Sequence, residues 1–259
     1  MSVTDLAVLG IGGLISGIMA GLLGIGGGVI LVPLLVTLNY APIQATATSN
    51  LAIIITSVSG SIQNWRMGYF DLKRVVYLGI PAAITAQLGV YLVTKIPAYV
   101  LLILFGILLI TNIYLVQLRN RLAKREQADN SKITNPIVSR VATGGAGGLL
   151  AGLFGVGGGV IMVPLQMLLL KEDIKLAIQT SLGVIIITAV SATVRQAHEG
   201  NLLLVQGIVL GCGGLLGAQI STRVLPKLPD RFVSTIFRGF LGILSIYIFY
   251  RAWLIYPGS

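Results

Sequence analysis

The chain has 259 residues, of which 55% are hydrophobic and only 10% are charged, and its mean hydropathy is +0.93. Soluble domains carry about a quarter charged residues, so this composition predicts an integral membrane protein, and the long apolar runs favour helices over barrel strands. The net charge of +10 comes from residues in short loops between apolar segments. Lys and Arg at such positions set membrane topology, and nucleic acid is therefore not an expected partner.

The apolar segments fall into two similar halves. In chain order the first half has segments at 6–23, 29–39, 48–64, 75–93 and 97–117, and the second at 141–154, 160–170, 180–194, 202–223 and 232–253. The polar residues between the halves predict a linker at 118–138, which leaves a first transmembrane repeat at 1–117 and a second at 139–259. The fold class expected is an all-α integral membrane protein built from an internal duplication.

A glycine-rich break interrupts the first apolar run of each half. Gly24–Pro33 reads Gly-Ile-Gly-Gly-Gly-Val-Ile-Leu-Val-Pro, and Gly155–Pro164 repeats the pattern 131 residues later. Glycine loosens a helix and accepts left-handed geometry. A half-helix restarting at Val29 or Val160 would direct free amides and a positive dipole end into the membrane interior, where they could bind an anion. The alternative is that the glycines only allow close helix packing.

The basic residues favour inverted rather than parallel repeats. If each broken element turns back at its glycines, 14 Lys and Arg residues fall on the linker side of the membrane and 3 on the other; a single crossing would give 11 and 6. The positive-inside bias is clearer for the re-entrant arrangement. The sequence therefore predicts two inverted-topology repeats, each with a glycine-broken first helix and a re-entrant half-helix. It also predicts a multi-pass protein of the cell (inner) membrane with a cytoplasmic linker.

The glycine elements and the stretches that follow them resemble the sulfite exporter TauE/SafE family. The resemblance rests on the Gly-x-Gly-Gly-Gly-x-x-x-x-Pro element in both halves, on the Ala-Thr-Ser-Asn-Leu stretch at 47–51 and the Gln-Thr-Ser-Leu stretch at 179–182, and on the loop motifs that end at Gly68 and Gly200. It implies a polytopic permease for small anions, among them sulfite, sulfonates such as sulfoacetate, and other organic acids. The family motif falls on Gly24, Gly26, Gly27, Gly28 and Pro33, and on Gly155, Gly157, Gly158, Gly159 and Pro164.

A substrate site near the midplane needs hydrogen-bond donors. The candidates in the glycine breaks are the amides of Gly26, Gly27, Gly28, Val29, Gly157, Gly158, Gly159 and Val160. Polar side chains that open the next helices are also candidates, and capping is the alternative role for them: Thr48, Ser49, Asn50, Gln179, Thr180 and Ser181. Gln87 and Gln219 lie within apolar segments and bond either to another helix or to substrate. Arg238 either attracts an anion or extends to the surface.

No set of residues predicts an enzyme, so no catalytic residue, metal or cofactor is expected. The eight carboxylates fall in loops or at segment ends, and the single His and single Cys lie 14 residues apart. The expected function is export of a small anion by alternating access around a site between the repeats. An anion channel and a non-transport assembly subunit are the alternatives. The expected partners are a small anion and membrane lipid, and the sequence leaves a homodimer open.

Overall fold

The computed structural model describes residues 3–125 and 136–255, and within these two stretches the chain forms ten α-helices, one short 3-10 helix and no strand. In chain order the helices are α1 (Val3–Leu23), α2 (Gly28–Thr37), α3 (Pro42–Arg66), α4 (Leu72–Val93), α5 (Ala98–Arg125), α6 (Pro136–Phe154), α7 (Gly159–Leu169), α8 (Ile174–His198), α9 (Leu204–Val224) and α10 (Asp230–Ile255). The 3-10 helix (Leu225–Lys227) connects α9 to α10.

Eight of the helices in the described stretches are long and apolar enough to cross a membrane. The remaining two, α2 and α7, have 10 and 11 residues, which is too short to span a hydrocarbon core of about 30 Å. These are the half-helices predicted to follow the glycine breaks. The expectation of an all-α integral membrane protein is confirmed.

Two of the helices, α3 and α8, begin six residues earlier than the hydropathy pattern predicts. α3 starts at Pro42, whose fixed φ suits the first turn of a helix, and α8 starts after Asp173. Ala45 N already donates to Ala41 O, and Ala177 N to Asp173 O. The polar clusters at 48–50 and 179–181 therefore lie inside their helices, and the alternative interpretation of their side chains as N-caps is wrong.

The stretch predicted as a linker, 118–138, is partly helical. α5 continues through Arg125 because residues 118–125 are mostly Leu, Arg, Lys and Ala, which favour the helix. α6 begins at Pro136, and residues 126–135 lie outside the described residues. The division of the chain into 1–117, 118–138 and 139–259 stays a prediction.

Glycines bring α1 and α9 into backbone contact. Gly13 and Gly17 of α1 lie against Leu210 and Gly214 of α9, and a Cβ on Gly17 would come within 2.7 Å of Gly214 Cα. No side chain fits between the helices at these positions, as is usual where small residues pack helices in membranes. Because a later residue of α1 contacts a later residue of α9, the two helices run parallel.

The second half repeats this packing with α6 and α4. Gly144 and Gly148 of α6 lie against Leu78 and Ala82 of α4, and a Cβ on Gly148 would come within 2.5 Å of Ala82 Cα. α6 and α4 therefore also run parallel. The two close pairs, α1 with α9 and α6 with α4, each join one helix from either half of the chain.

Each short helix folds back along the helix before it. Leu34 of α2 contacts Gly12 of α1, and Gly27 contacts Ser16. A rise in residue number on one helix thus accompanies a fall on the other, so α2 is antiparallel to α1. α7 returns along α6 in the same way, since Met162 contacts Gly147 while Gly158, earlier in the chain, reaches Ala151 as well as Gly147.

α3 and α8 form the centre of the bundle. In each of them 72% of the most apolar stretch is buried, against 28–44% in the other six long helices. They cross antiparallel, since Asn50 bonds Gln196 while Gly60 packs on Leu182. Each of the two also has a parallel neighbour. α9 runs parallel to α3, because Gly207 contacts Leu51 and Gly211 contacts Ile55. α4 runs parallel to α8, because Val75 contacts Gly183 and Gln87 bonds Ser191.

Candidate functional site

Two buried loops separate the short helices from the helices that precede them. We call Gly24–Gly28 the first glycine loop and Gly155–Gly159 the second glycine loop, and every residue of both is buried. In each loop the first, third and fourth residues have positive φ, with values of 67°, 73° and 83° in the first and 65°, 78° and 79° in the second. Left-handed geometry costs residues with a side chain about 1–2 kcal/mol each. Glycine avoids this cost, which explains why glycine occupies these positions in both loops.

The two glycine loops contact each other at the centre of the protein. A Cβ on Gly28 would meet Gly155 O and would lie 2.7 Å from Val156 Cα, and a Cβ on Gly159 would meet Gly24 O. Ile53 of α3 and Ile185 of α8 pack on both loops. Methyl carbons of these two side chains would lie 3.0–3.3 Å from a Cβ on Gly26 or Gly157. The loops and the crossing of α3 with α8 therefore form one central cluster.

Amides at the start of both short helices lack an acceptor. The first backbone bonds of α2 run from Ile30 N and Leu31 N to Gly27 O, and those of α7 from Ile161 N and Met162 N to Gly158 O. Among the described residues no acceptor is found for the two amides that open each short helix, at 28–29 and 159–160. Buried donors at a helix N-terminus favour a negative partner.

Hydroxyl groups bind the carbonyls of the loops. Ser16 Oγ donates to Gly27 O at 2.9 Å, Ser49 Oγ to Gly155 O at 3.2 Å, and Thr188 Oγ1 to Gly157 O at 3.3 Å. Three loop carbonyls thus have side-chain donors, whereas the amides at 28–29 and 159–160 have no acceptor in the described part of the chain. Sequence reasoning selected Ser49 but missed Ser16, a single hydroxyl in an apolar stretch, and Thr188, which follows three isoleucines and has no polar residue beside it in the sequence.

A buried glutamine on α7 reaches the polar cluster of α8. Gln166 Nε2 donates to Ser181 Oγ at 2.8 Å, and its Oε1 has no partner in the described part of the chain. Ser181 was a predicted site residue, and Gln179 and Thr180 beside it are also buried. Gln166 was missed, although it is the only side chain in α7 that carries a hydrogen-bonding amide.

The polar cluster of α3 reaches the far end of α8. Asn50 Nδ2 donates to Gln196 Oε1 at 3.1 Å, and both side chains are fully buried. Asn50 Oδ1 and Gln196 Nε2 have no partner among the described residues. Thr48 is bound elsewhere, since its Oγ1 accepts from Leu203 N at the start of α9.

Asn64, near the other end of α3, is also fully buried, and neither its Nδ2 nor its Oδ1 has a partner within the described stretches. The aligned loop motifs place Asn64 and Gln196 at corresponding positions of the two halves. An unpaired amide is costly in a membrane interior unless water or another group meets it.

Three predicted site residues bond to helices rather than to the loops. Gln87 Nε2 of α4 donates to Ser191 O and Oγ of α8, both at 2.7 Å, and Gln219 Nε2 of α9 donates to Ser59 O of α3 at 3.2 Å. These bonds favour the interhelical role that the sequence left open. Arg238 Nε donates to Ser234 O of its own helix, α10.

The central cluster carries no charge of its own. None of the fully buried polar side chains in the described part of the chain is ionisable. Outside the spans, burial raises the pKa of the Glu172 carboxyl, in the connection between α7 and α8, and the Arg74 guanidinium opposes this rise. No group of three or more His, Cys, Asp or Glu able to hold a metal is found within the described residues.

In the described part of the chain, eight helices able to cross a membrane surround two buried breaks, an arrangement typical of multi-pass membrane proteins of the transporter class. The family model described as Sulfite exporter TauE/SafE matches residues 9–248, and the chain belongs to this family. The resemblance drawn from the glycine elements is thereby confirmed.

The relatives are membrane proteins of similar length. The chain is 28% identical to the probable membrane transporter protein YdhB of Bacillus subtilis, over 89% of this chain and 96% of that protein. It is 26% identical to the probable membrane transporter protein YunE of the same organism, over 97% and 98%. The probable membrane transporter protein MJ0441 of Methanocaldococcus jannaschii is 27% identical, over 94% and 95%. No solved structure matches the chain.

Proposed function

We propose that this transporter moves small anions out of the cell across the inner membrane, by alternating access around the two glycine loops. The observation that carries the proposal is the meeting of two short helices whose opening amides are buried and have no acceptor among the described residues. Their N-termini provide partial positive charge without a buried Lys or Arg. A site of this kind binds an anion without holding it too tightly for release.

The direction of export follows from the membrane potential. A potential that is negative inside favours the exit of an anion, by about 2.3 kcal/mol per charge for each 100 mV. The family name mentions sulfite export, and the relatives' names give no substrate. Sulfite, sulfonates and related organic acids are therefore the substrates to test.

Inverted repeats are part of the same proposal. α1 is parallel to α9 and α9 to α3, while α6 is parallel to α4 and α4 to α8. Since α3 and α8 are antiparallel, these directions support opposite crossings of α1 and α6. With the excess of basic residues on the linker side, they also support a cytoplasmic linker.

An unequal pair of contacts supports alternating access. Asn50 bonds Gln196 at one end of the α3–α8 crossing, while Asn64, which corresponds to Gln196, has no partner among the described residues at the other end. In a protein with two related halves, such inequality is expected of a state that is closed on one side. The opposite state would then release Asn50 and engage Asn64.

The test is flux in proteoliposomes that contain the purified protein. We expect saturable uptake of at least one anion from a panel of sulfite, sulfate, thiosulfate, sulfoacetate and short carboxylates. Uptake should be stimulated by the same anion inside the vesicles. Stimulation of this kind identifies a carrier, whereas unsaturable flux without it would identify a channel. Flux of no anion would leave the assembly-subunit alternative standing.

A matched pair of variants connects the flux to the glycine loops. Gly157 and Gly200 have φ of 78° and 72°, so Gly→Ala imposes similar backbone strain at both. A Cβ on Gly157 would lie 3.0 Å from Ile185 Cγ2 at the central cluster, whereas a Cβ on Gly200 would meet nothing within 4 Å. Gly157→Ala should abolish flux and Gly200→Ala should retain it. Equal flux in the two variants would move the site away from the glycine loops.

A further inference from the structure

A groove beside the second glycine loop has an unusual lining. It lies between α2, the start of α3, α5 and α10, and it has about 620 Å³ of empty space, including the part open to the outside. Its walls are mostly apolar, with Phe105 and Phe154 the largest apolar side chains. Among the described residues, the polar groups of the lining are Thr46, Tyr247 and Arg251.

Two of these three polar groups are already bonded. Thr46 Oγ1 donates to Pro42 O at 2.9 Å, and the Tyr247 hydroxyl lies 3.0 Å from that of Thr37. The Arg251 guanidinium has no hydrogen bond or ion pair with any described residue. Within the described residues, the groove thus presents one cation without a partner beside an apolar surface.

The groove adjoins the second glycine loop. Thr46 forms part of its wall and also contacts Gly155, while Phe154 directly precedes that loop. Pro33 of α2 forms another part of the wall, and because proline has no N–H it leaves Val29 O without its usual helical donor. A ligand in the groove would therefore lie next to the proposed transport site.

We propose that this groove binds the transported substrate, and that the substrate is an organic anion with a short apolar chain. Its acidic head binds Arg251, and its chain packs against Phe105 and Phe154. This inference rests on the proposed transport of anions and narrows the substrate class. A bare oxyanion such as sulfite would lose water on all sides and gain one cation, because the rest of the wall cannot donate hydrogen bonds.

The test measures binding of unbranched alkanesulfonates, from methanesulfonate to hexanesulfonate, to the purified protein in nanodiscs of zwitterionic lipid. Each methylene that enters an apolar site should tighten binding about fourfold until the groove is filled. Arg251→Gln should weaken every homologue by about tenfold or more, because a charged hydrogen bond is lost, and should leave the ratio between homologues unchanged.

Two further variants test whether the changes in affinity come from the groove itself. Lys95→Gln removes a cation from the loop between α4 and α5, outside the groove, and should leave all affinities unchanged. Val36→Thr replaces a methyl of the wall with a hydroxyl at nearly constant volume and should reduce the gain per methylene. A Val36→Thr protein that keeps the full gain would overturn the placement of the chain.

The remaining outcomes separate the groove from the transport function. Binding of sulfite and methanesulfonate that Gly157→Ala abolishes, without any gain from longer chains, would refute the groove proposal and leave anion transport intact. Binding of no anion at any length would refute both. If anionic phospholipid in the nanodiscs displaces the sulfonates and co-purifies with the protein but not with Arg251→Gln, the groove is a lipid site and the substrate proposal is wrong.

Discussion

Asn50 and Asn64 allow one substitution to be compared in two settings on the same helix. Both side chains are fully buried in α3, but only Asn50 has a partner, Gln196 Oε1 at 3.1 Å. Leucine has the same branched skeleton as asparagine, with two somewhat larger methyl groups and no polar atom. We predict that Asn50→Leu destabilises the protein and that Asn64→Leu stabilises it.

The two substitutions are expected to change the free energy of unfolding in opposite directions. Asn50→Leu removes an interhelical bond worth about 0.6 kcal/mol on average in membranes. It also leaves Gln196 Oε1 buried without a donor, at a cost of about 1–3 kcal/mol, but removal of Asn50 Oδ1, which has no partner among the described residues, recovers a similar amount. The loss of the interhelical bond therefore decides the sign. Asn64→Leu removes two buried polar atoms that have no partner in the described part of the chain, and should recover about 1–3 kcal/mol.

Thermal unfolding in detergent, followed by loss of the monodisperse chromatographic peak, measures the difference between the variants. Asn112→Leu on α5 is the control, since Asn112 is fully buried and its one side-chain bond to a described residue runs to Leu108 O of its own helix. Its melting temperature should lie between those of the other two. Flux adds an independent measurement, because Asn64→Leu should slow exchange despite its higher stability.

Two results would contradict this reasoning. If Asn64→Leu lowers the melting temperature as much as Asn50→Leu, Asn64 is satisfied by water in the resting state. The inequality between the ends of α3 would then be lost as an argument for alternating access. Unchanged exchange in a stabilised Asn64→Leu protein would show that no step of transport needs this amide.

Further predictions concern helix packing and pH. Gln87→Leu should cost about 0.6–1.7 kcal/mol in thermal unfolding and retain flux, because this amide joins α4 to α8. Gly148→Ala should prevent recovery of folded protein, since its Cβ would lie 2.5 Å from Ala82 Cα, whereas Gly145→Ala should fold, because its Cβ would meet only Thr85 Cγ2 at 3.7 Å. Burial raises the pKa of Glu172 above the ordinary 4.5, so its contribution to stability is complete below that pH and is lost as pH rises through the folded value. Melting temperatures of Glu172→Gln measured across this range should lack that decline, and an unchanged decline would assign it to another group.

Hydropathy and internal repetition were sufficient to predict the helical class and the two glycine breaks. A run as long and apolar as 6–23 predicts a membrane helix. Four glycines in five positions within such a run predict a break in that helix. Helix starts were harder, because Pro42 begins α3 six residues before the polar cluster that resembled a cap. The hydropathy of 42–47 is too low to show that these residues continue a span.

The site was only partly predictable, because a lone polar residue in an apolar helix has no periodic signal. Ser16 and Thr188 became recognisable when the fold placed them against loop carbonyls. Gln166 occupies the position that corresponds to Leu35 in the first half, so the repeat itself gave no indication of its role. The role of each of these side chains depends on the helix or loop that packs against it. The order of the helices in the sequence does not specify which of them pack together.

The two glycine loops have the same backbone conformation, but different helices donate side-chain hydrogen bonds to them. The second loop is bound by Ser49 of α3 and Thr188 of α8, whereas the side-chain bond to the first loop comes from Ser16 of its own hairpin. Movement of α1 and α2 together would therefore break no side-chain bond to the first loop. Movement of the second loop would break its two bonds to the central helices. If transport requires one loop to shift against α3 and α8, the first hairpin is the element that we expect to move.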